Sequence, residues 1–135
     1  MTLNMLVLFD TDFLYNFFFA NQSNHFKSKE IFTQYLNYDF VISRPVRYEF
    51  LTVISNKENQ EKAKQAYSKL NELELEILEI TPEIENLALD IFLTSDKNKM
   101  SVVDCLNLAI AQKFNCKIAS FDAFYPKEFL LALPA

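Results

Sequence analysis

Short apolar runs alternate with longer amphipathic stretches along the chain. Residues 5–9 (MLVLF) are apolar with no helical period, which suits a strand buried on both faces of a parallel sheet. Residues 39–42 (DFVI), 73–80 (LELEILEI) and 116–121 (CKIASF) read as three more strands, and the tail 129–133 as a short fifth. Helices are predicted over 12–20, 25–36, 45–55, 58–72, 82–94 and 101–114. Pro45 and Thr81-Pro82 mark two helix starts, because Pro is tolerated in a first turn. The alternation predicts a single domain over 1–135. Its expected architecture is a three-layer α/β/α sandwich with a central, mostly parallel sheet of four or five strands.

The chain has 135 residues and no glycine. Glycine-rich phosphate loops and GxSxG nucleophile elbows are therefore excluded. Positions needing positive φ must use another residue, and Asn is the next best. Asn37, Asn56, Asn98 and Asn115 each close a predicted helix and are expected as its cap. Cys105 and Cys116 are too few for a disulfide scaffold or a four-cysteine zinc site, so they read as reduced thiols. The opening MTLNMLVLFD has no basic leader, and the aromatic stretch 13–20 is too short to span a bilayer. A cytoplasmic protein without a membrane partner is expected. His25, the single histidine, is expected at the surface.

Four acids stand out from the solvated charges because their neighbours are apolar. Asp10 ends the first strand (LVLFD) and Asp122 the fourth (KIASFD). Ligands of open α/β sheets bind outside the carboxyl ends of the strands, so these two share a site if their strands are neighbours. Asp104 begins an apolar helix, where Ser101-x-x-Asp104 also fits a capping box. Glu49 lies early in the helix after strand two, where it fits an exposed edge equally well. Converging carboxylates raise one another's pKa, and a divalent cation relieves that. An all-oxygen donor set suits Mg²⁺ or Mn²⁺ rather than zinc.

Together these neighbourhoods resemble the PIN domain family and, in size, its VapC-like toxins. The matching stretches are LVLFDTDFL, VRYEFLTVI, Ser101 to Ala111 as SxxDxxxxAxA, and Ser120-Phe121-Asp122 as (T/S)xD. The resemblance implies a metal-dependent ribonuclease. Asp10, Asp104 and Asp122 would hold Mg²⁺ or Mn²⁺ partly through water, and Glu49 would tune a ligand water or bind a second ion. Thr11, Asp12, Ser120 and Asn107 are accessory candidates. The resemblance also implies an RNA substrate, a homodimer, and a small antitoxin covering the acidic site. Three departures are visible: Asp12 replaces the usual Asn or Ser, Phe124 stands where many members have a second acid, and the usual loop glycines are absent.

The formal charge of −5 is unusual for a nucleic-acid partner, but it falls to −1 without the four site carboxylates. Arg44 and Arg47, the only arginines, lie within five residues of Glu49. They are the candidates for holding substrate phosphate, unless they pair with nearby acids. Tyr15 and Tyr48 are candidates for stacking on a base. Two other readings compete. Asp10-Thr11-Asp12 resembles the DxD of haloacid-dehalogenase-like phosphatases, although the loop glycines are missing. Phe124 and the acidic charge suit a non-catalytic PIN module that binds RNA or a protein.

Overall fold

The computed structural model describes residues 5–95 and 100–132. Its sheet is built from β1 (Leu6–Phe9), β2 (Asp39–Ser43), β3 (Glu76–Leu78) and β4 (Lys117–Ala119). The strand order is β3-β2-β1-β4 and every pairing is parallel. β1 therefore lies at the centre, with Leu8 opposite Val41 on one side and Ile118 on the other.

Period-two alternation sorts the strand residues into two cores. Val7, Phe9, Ile42 and Ala119 face one layer, while Leu8, Val41 and Ile118 face the other. The first layer holds α1 (Thr11–Phe18), α2 (His25–Gln34), α3 (Arg44–Lys57) and α4 (Gln60–Glu72). The second holds α5 (Pro82–Thr94) and α6 (Val102–Phe114), which pack on each other. The result is the expected α/β/α sandwich. No helix among the described residues is long and apolar enough to cross a membrane.

The aromatic residues fill the first layer. Phe9 stacks on Phe13 at 4.5 Å and on Phe40 at 4.9 Å, and Phe32 stacks on Phe40 at 4.9 Å. Such pairs add about 0.5–1.5 kcal/mol beyond their buried area.

Several local expectations change. The 73–80 stretch is a strand only over Glu76–Leu78, because it follows a left-handed turn at Glu74 (φ 53°). Among the described residues the tail adds no fifth strand: after a short 3₁₀ turn at Lys127–Phe129, Leu130 makes one parallel bridge to Ile118. Asn115 does cap α6 in the left-handed region (φ 51°, ψ 49°). Asn56 lies inside α3, and α2 ends before Asn37 with Tyr35 as its cap. Asn98 falls outside the described residues. His25 is buried, not exposed, with Nδ1 at 2.9 Å from the Asn16 carbonyl. Its ring closes the corner between α1 and α2.

Only Glu74 and Asn115 take positive φ among the described residues, and a glutamate has no local compensation there. Glu74→Gly is therefore expected to raise stability by about 1 kcal/mol in urea unfolding. Asn115→Val is expected to lower it by a similar amount, because a β-branched residue cannot take that φ cheaply.

Candidate active site

The cleft sits at the carboxyl ends of the central strands. Asp10 follows β1 directly, and its N–H reaches the Ala119 carbonyl of β4 at 3.4 Å. That contact brings the ends of β1 and β4 together. Asp10 is the N-cap of α1: its Oδ1 accepts the Phe13 N–H at 2.8 Å. Its Oδ2 is buried and has no hydrogen-bond partner. Asp122 follows β4, and its N–H donates to Ser120 Oγ at 3.0 Å. The neighbouring Ser120 hydroxyl acts to lower the Asp10 carboxyl's pKa, against the larger effect of burial.

Asp104 both caps its own helix and faces the cleft. Its Oδ2 accepts the Ser101 N–H at 2.8 Å, and Ser101 Oγ accepts the Asp104 N–H at 3.1 Å, which closes a capping box on α6. The helical period places Glu49, Val53 and Lys57 on one stripe of α3, at i, i+4 and i+8. All three line a cleft of about 290 Å³, together with Asp10, Thr11, Asp12, Tyr15, Ser101, Asp104, Asp122 and Phe124. The four carboxylates singled out in the sequence thus meet in one cavity.

A model of the PIN domain family matches residues 7–126. The chain belongs to the PIN domain family. Solved structures of toxins and toxin–antitoxin complexes share its architecture at low sequence identity. VapC20 of Mycobacterium tuberculosis, described as a sarcin–ricin-loop-cleaving toxin, superposes with a TM-score of 0.83 at 18% identity, over 95% of this chain and 99% of that one. VapBC2 of Rickettsia felis, solved with a DNA fragment from its promoter, gives 0.69 at 14% identity over 95% and 98%. A toxin–antitoxin complex from Klebsiella pneumoniae gives 0.62 at 16% identity over 93% and 99%. No curated protein sequence matches the chain.

Electrostatics in this PIN cleft are unfavourable as they stand. Burial pushes the Asp10 carboxyl well above the ordinary carboxylate range, and the charges of Asp12 and Asp122 add to it. Asp12 is raised by burial and by Asp104, while Lys57 and Asn16 oppose the shift. Asp122 rises to about 6 through burial and the charges of Asp12 and Asp104. Tyr125 donates its hydroxyl to Asp104 Oδ1 at 3.1 Å; burial first, then the charges of Asp10 and Asp104, push its pKa up and keep it protonated.

These groups fit a hard divalent cation in one particular way. Among the described residues no three His, Cys, Asp or Glu side chains stand close enough to encircle an ion. The donors that line the cleft are carboxylate oxygens, and the deepest of them, Asp10 Oδ2, lacks any other partner. That set suits an ion retaining several of its own waters, as Mg²⁺ does.

The remaining sequence candidates sit elsewhere. Asn107 is buried beneath the cleft, with Oδ1 accepting Ser43 Oγ at 3.2 Å and Nδ2 left without a partner. Arg44 forks onto exposed Glu79, with Nε at 2.8 and 2.9 Å from its oxygens. Arg47 donates to the Tyr67 hydroxyl at 3.0 Å and to Asn71 at 3.1 Å. Neither arginine lines the cleft. Among the described residues the cation that does is Lys57, whose Nζ lies 4.9 Å from the Tyr15 ring centre. Tyr15 is only 6% exposed and stacked by Phe19 at 4.8 Å, so little of its ring is open to a base. Tyr48 is exposed but outside the cleft.

The raised Asp122 pKa has a definite sign for stability. Its folded value of about 6 exceeds the ordinary 3.8, so the native state binds more protons between those values. Stability of the metal-free protein therefore falls as pH rises through that window. Asp122→Asn is expected to raise the metal-free Tm at pH 7.5 and to change it much less at pH 4. Thermal unfolding at both pH values checks this, and a lower Tm for the variant at pH 7.5 would contradict it.

Proposed function

We propose that this PIN protein is a Mg²⁺- or Mn²⁺-dependent endoribonuclease and the toxin of a type II toxin–antitoxin pair. The observation that carries the reading is the convergence of Asp10, Glu49, Asp104 and Asp122 in one cleft, with Asp10 Oδ2 buried and unpartnered. The likeness to VapC20 and to toxin–antitoxin complexes supports the biological setting. A cytoplasmic location suits two buried, unpaired cysteines.

Asp10, Asp104 and Asp122 would hold the ion, partly through its waters. When bound, such an ion supplies a water-derived nucleophile near neutral pH and offsets charge on a phosphodiester. The chain's own groups do the rest. The Phe13 N–H fixes the Asp10 carboxylate through Oδ1. Glu49, on the α3 wall, is placed to accept a proton from water. Lys57, two turns further along the same stripe, offers an ammonium to an RNA phosphate. Phe124 supplies an apolar wall where many relatives carry an acid. A small antitoxin would silence the protein by covering this cleft, and a homodimer is the expected assembly.

The test is cleavage of labelled single-stranded RNA during Mn²⁺ and Mg²⁺ titration. Metal-dependent cutting is expected, and its loss in Asp10→Asn and Asp104→Asn. Both variants should stay folded by circular dichroism: Asn caps α1 as well as Asp10 does, and an Asn at 104 keeps an amide oxygen to accept the Ser101 N–H. Cutting retained in both would overturn the site. Metal binding without cleavage of a broad RNA panel would favour a binding module.

Lys57 gives an independent check. Lys57→Ala is expected to raise the KM for RNA several-fold with a smaller effect on kcat. Arg44→Ala and Arg47→Ala should stay near wild type, since both guanidinium groups are engaged outside the cleft.

A further inference from the structure

The capping box ties Asp104 to its own helix, and that box is complete without help from elsewhere. Asp104 nevertheless has a third partner. Its Oδ1 accepts the hydroxyl of Tyr125, from the segment after β4 and three residues beyond Asp122. The Tyr125 ring is 2% exposed and packed in the core beneath α5 and α6, edge-on to Phe124 at 4.9 Å. A buried phenol needs a hydrogen-bond partner, and here the partner is a cleft carboxylate rather than a backbone carbonyl. Asn107, one turn beyond Asp104 on α6, faces the same hydroxyl. Its other end is fixed by Ser43 at the end of β2. Three separate elements thus converge behind one carboxylate.

We infer that Tyr125 is a positioning residue. Its hydroxyl fixes the Asp104 carboxylate in the cleft and ties the Asp104 wall to the Asp122 segment. Each Asp104 oxygen is anchored once, Oδ2 by the Ser101 N–H and Oδ1 by the Tyr125 hydroxyl, which restrains rotation of the group and leaves each oxygen a lone pair for a further ligand. An incoming cation then meets a donor whose direction is already set, as hydrogen-bonded carboxylates behind metal sites are. This inference rests on the metal-nuclease reading above.

Tyr125→Phe removes only the oxygen and leaves the ring in its core. The experiment is Mn²⁺ binding by calorimetry on wild type, Tyr125→Phe, Asp104→Asn and the double variant, with metal-free thermal unfolding of each. Loss of the hydroxyl is expected to weaken Mn²⁺ binding about tenfold. At saturating Mn²⁺ the KM for RNA should stay near wild type. In the Asp104→Asn background the same change should cost no further affinity, because the two residues act as one unit. Equal Mn²⁺ affinity in wild type and Tyr125→Phe would overturn the positioning role alone. An equal loss in both backgrounds would also overturn it, since Tyr125 would then act on something other than Asp104. Tyr125→Ala, unfolded alongside, sets the scale for loss of the whole side chain, and a fall in metal-free Tm of Tyr125→Phe as large as that would assign the hydroxyl to stability and overturn the positioning role. If wild type itself binds no Mn²⁺, the metal reading of the cleft fails first, and the inference falls with it.

Discussion

One carboxylate, at the end of a strand buried on both faces, organises this molecule. Asp10 ends β1, starts α1 through its bond to the Phe13 N–H, and leaves a second oxygen buried and unpartnered. The first contact is local and structural. The second is a cost, because an ionised group without a partner is poorly tolerated away from water. Neighbouring strands and helices are arranged around that cost. β4 brings Ser120 and Asp122, α6 brings Asp104, and α3 brings Glu49 with Lys57.

The cleft is therefore a place where the fold works against itself. Asp10, Asp12 and Asp122 all have raised pKa values, and each adds to another's burden. Local devices limit the damage without removing it: two helix caps, a serine hydroxyl and one lysine. A bound divalent ion would reverse the sign of these interactions, since it would be the largest local charge. On the proposed reading, repulsion held in place by the sandwich is what would prepare such a site for a cation.

Much of this was readable in the residues. The apolar run at 5–9, the turn at Thr81-Pro82 and the box at Ser101 have single local causes, and each appears as expected. The acids were legible because each interrupts apolar surroundings. What failed had non-local causes. His25 is a polar residue buried by the corner between two helices, which no local pattern announces. The arginines nearest Glu49 in sequence turn away toward Glu79 and Tyr67, because side-chain reach is set by the fold. Lys57 was missed for a simpler reason. The predicted helix stopped near residue 55, so the i, i+4, i+8 stripe from Glu49 was cut one step short. Tyr125 sits in a loop with no period, and only the packing of β4 against α6 brings its hydroxyl to Asp104.

The sheet order has a consequence for the life of the polypeptide. β1, from the amino-terminal end, pairs with β4, near the carboxyl-terminal end. Asp10 and Asp122 therefore become neighbours only after the whole segment between them has been made. While it is still being synthesised, the nascent chain can form α1 to α4 around β1 and β2, because those contacts are close in sequence. It cannot form the acidic cleft. The cleft is therefore assembled late, once the segment carrying Asp122 and Tyr125 has joined β1 through β4.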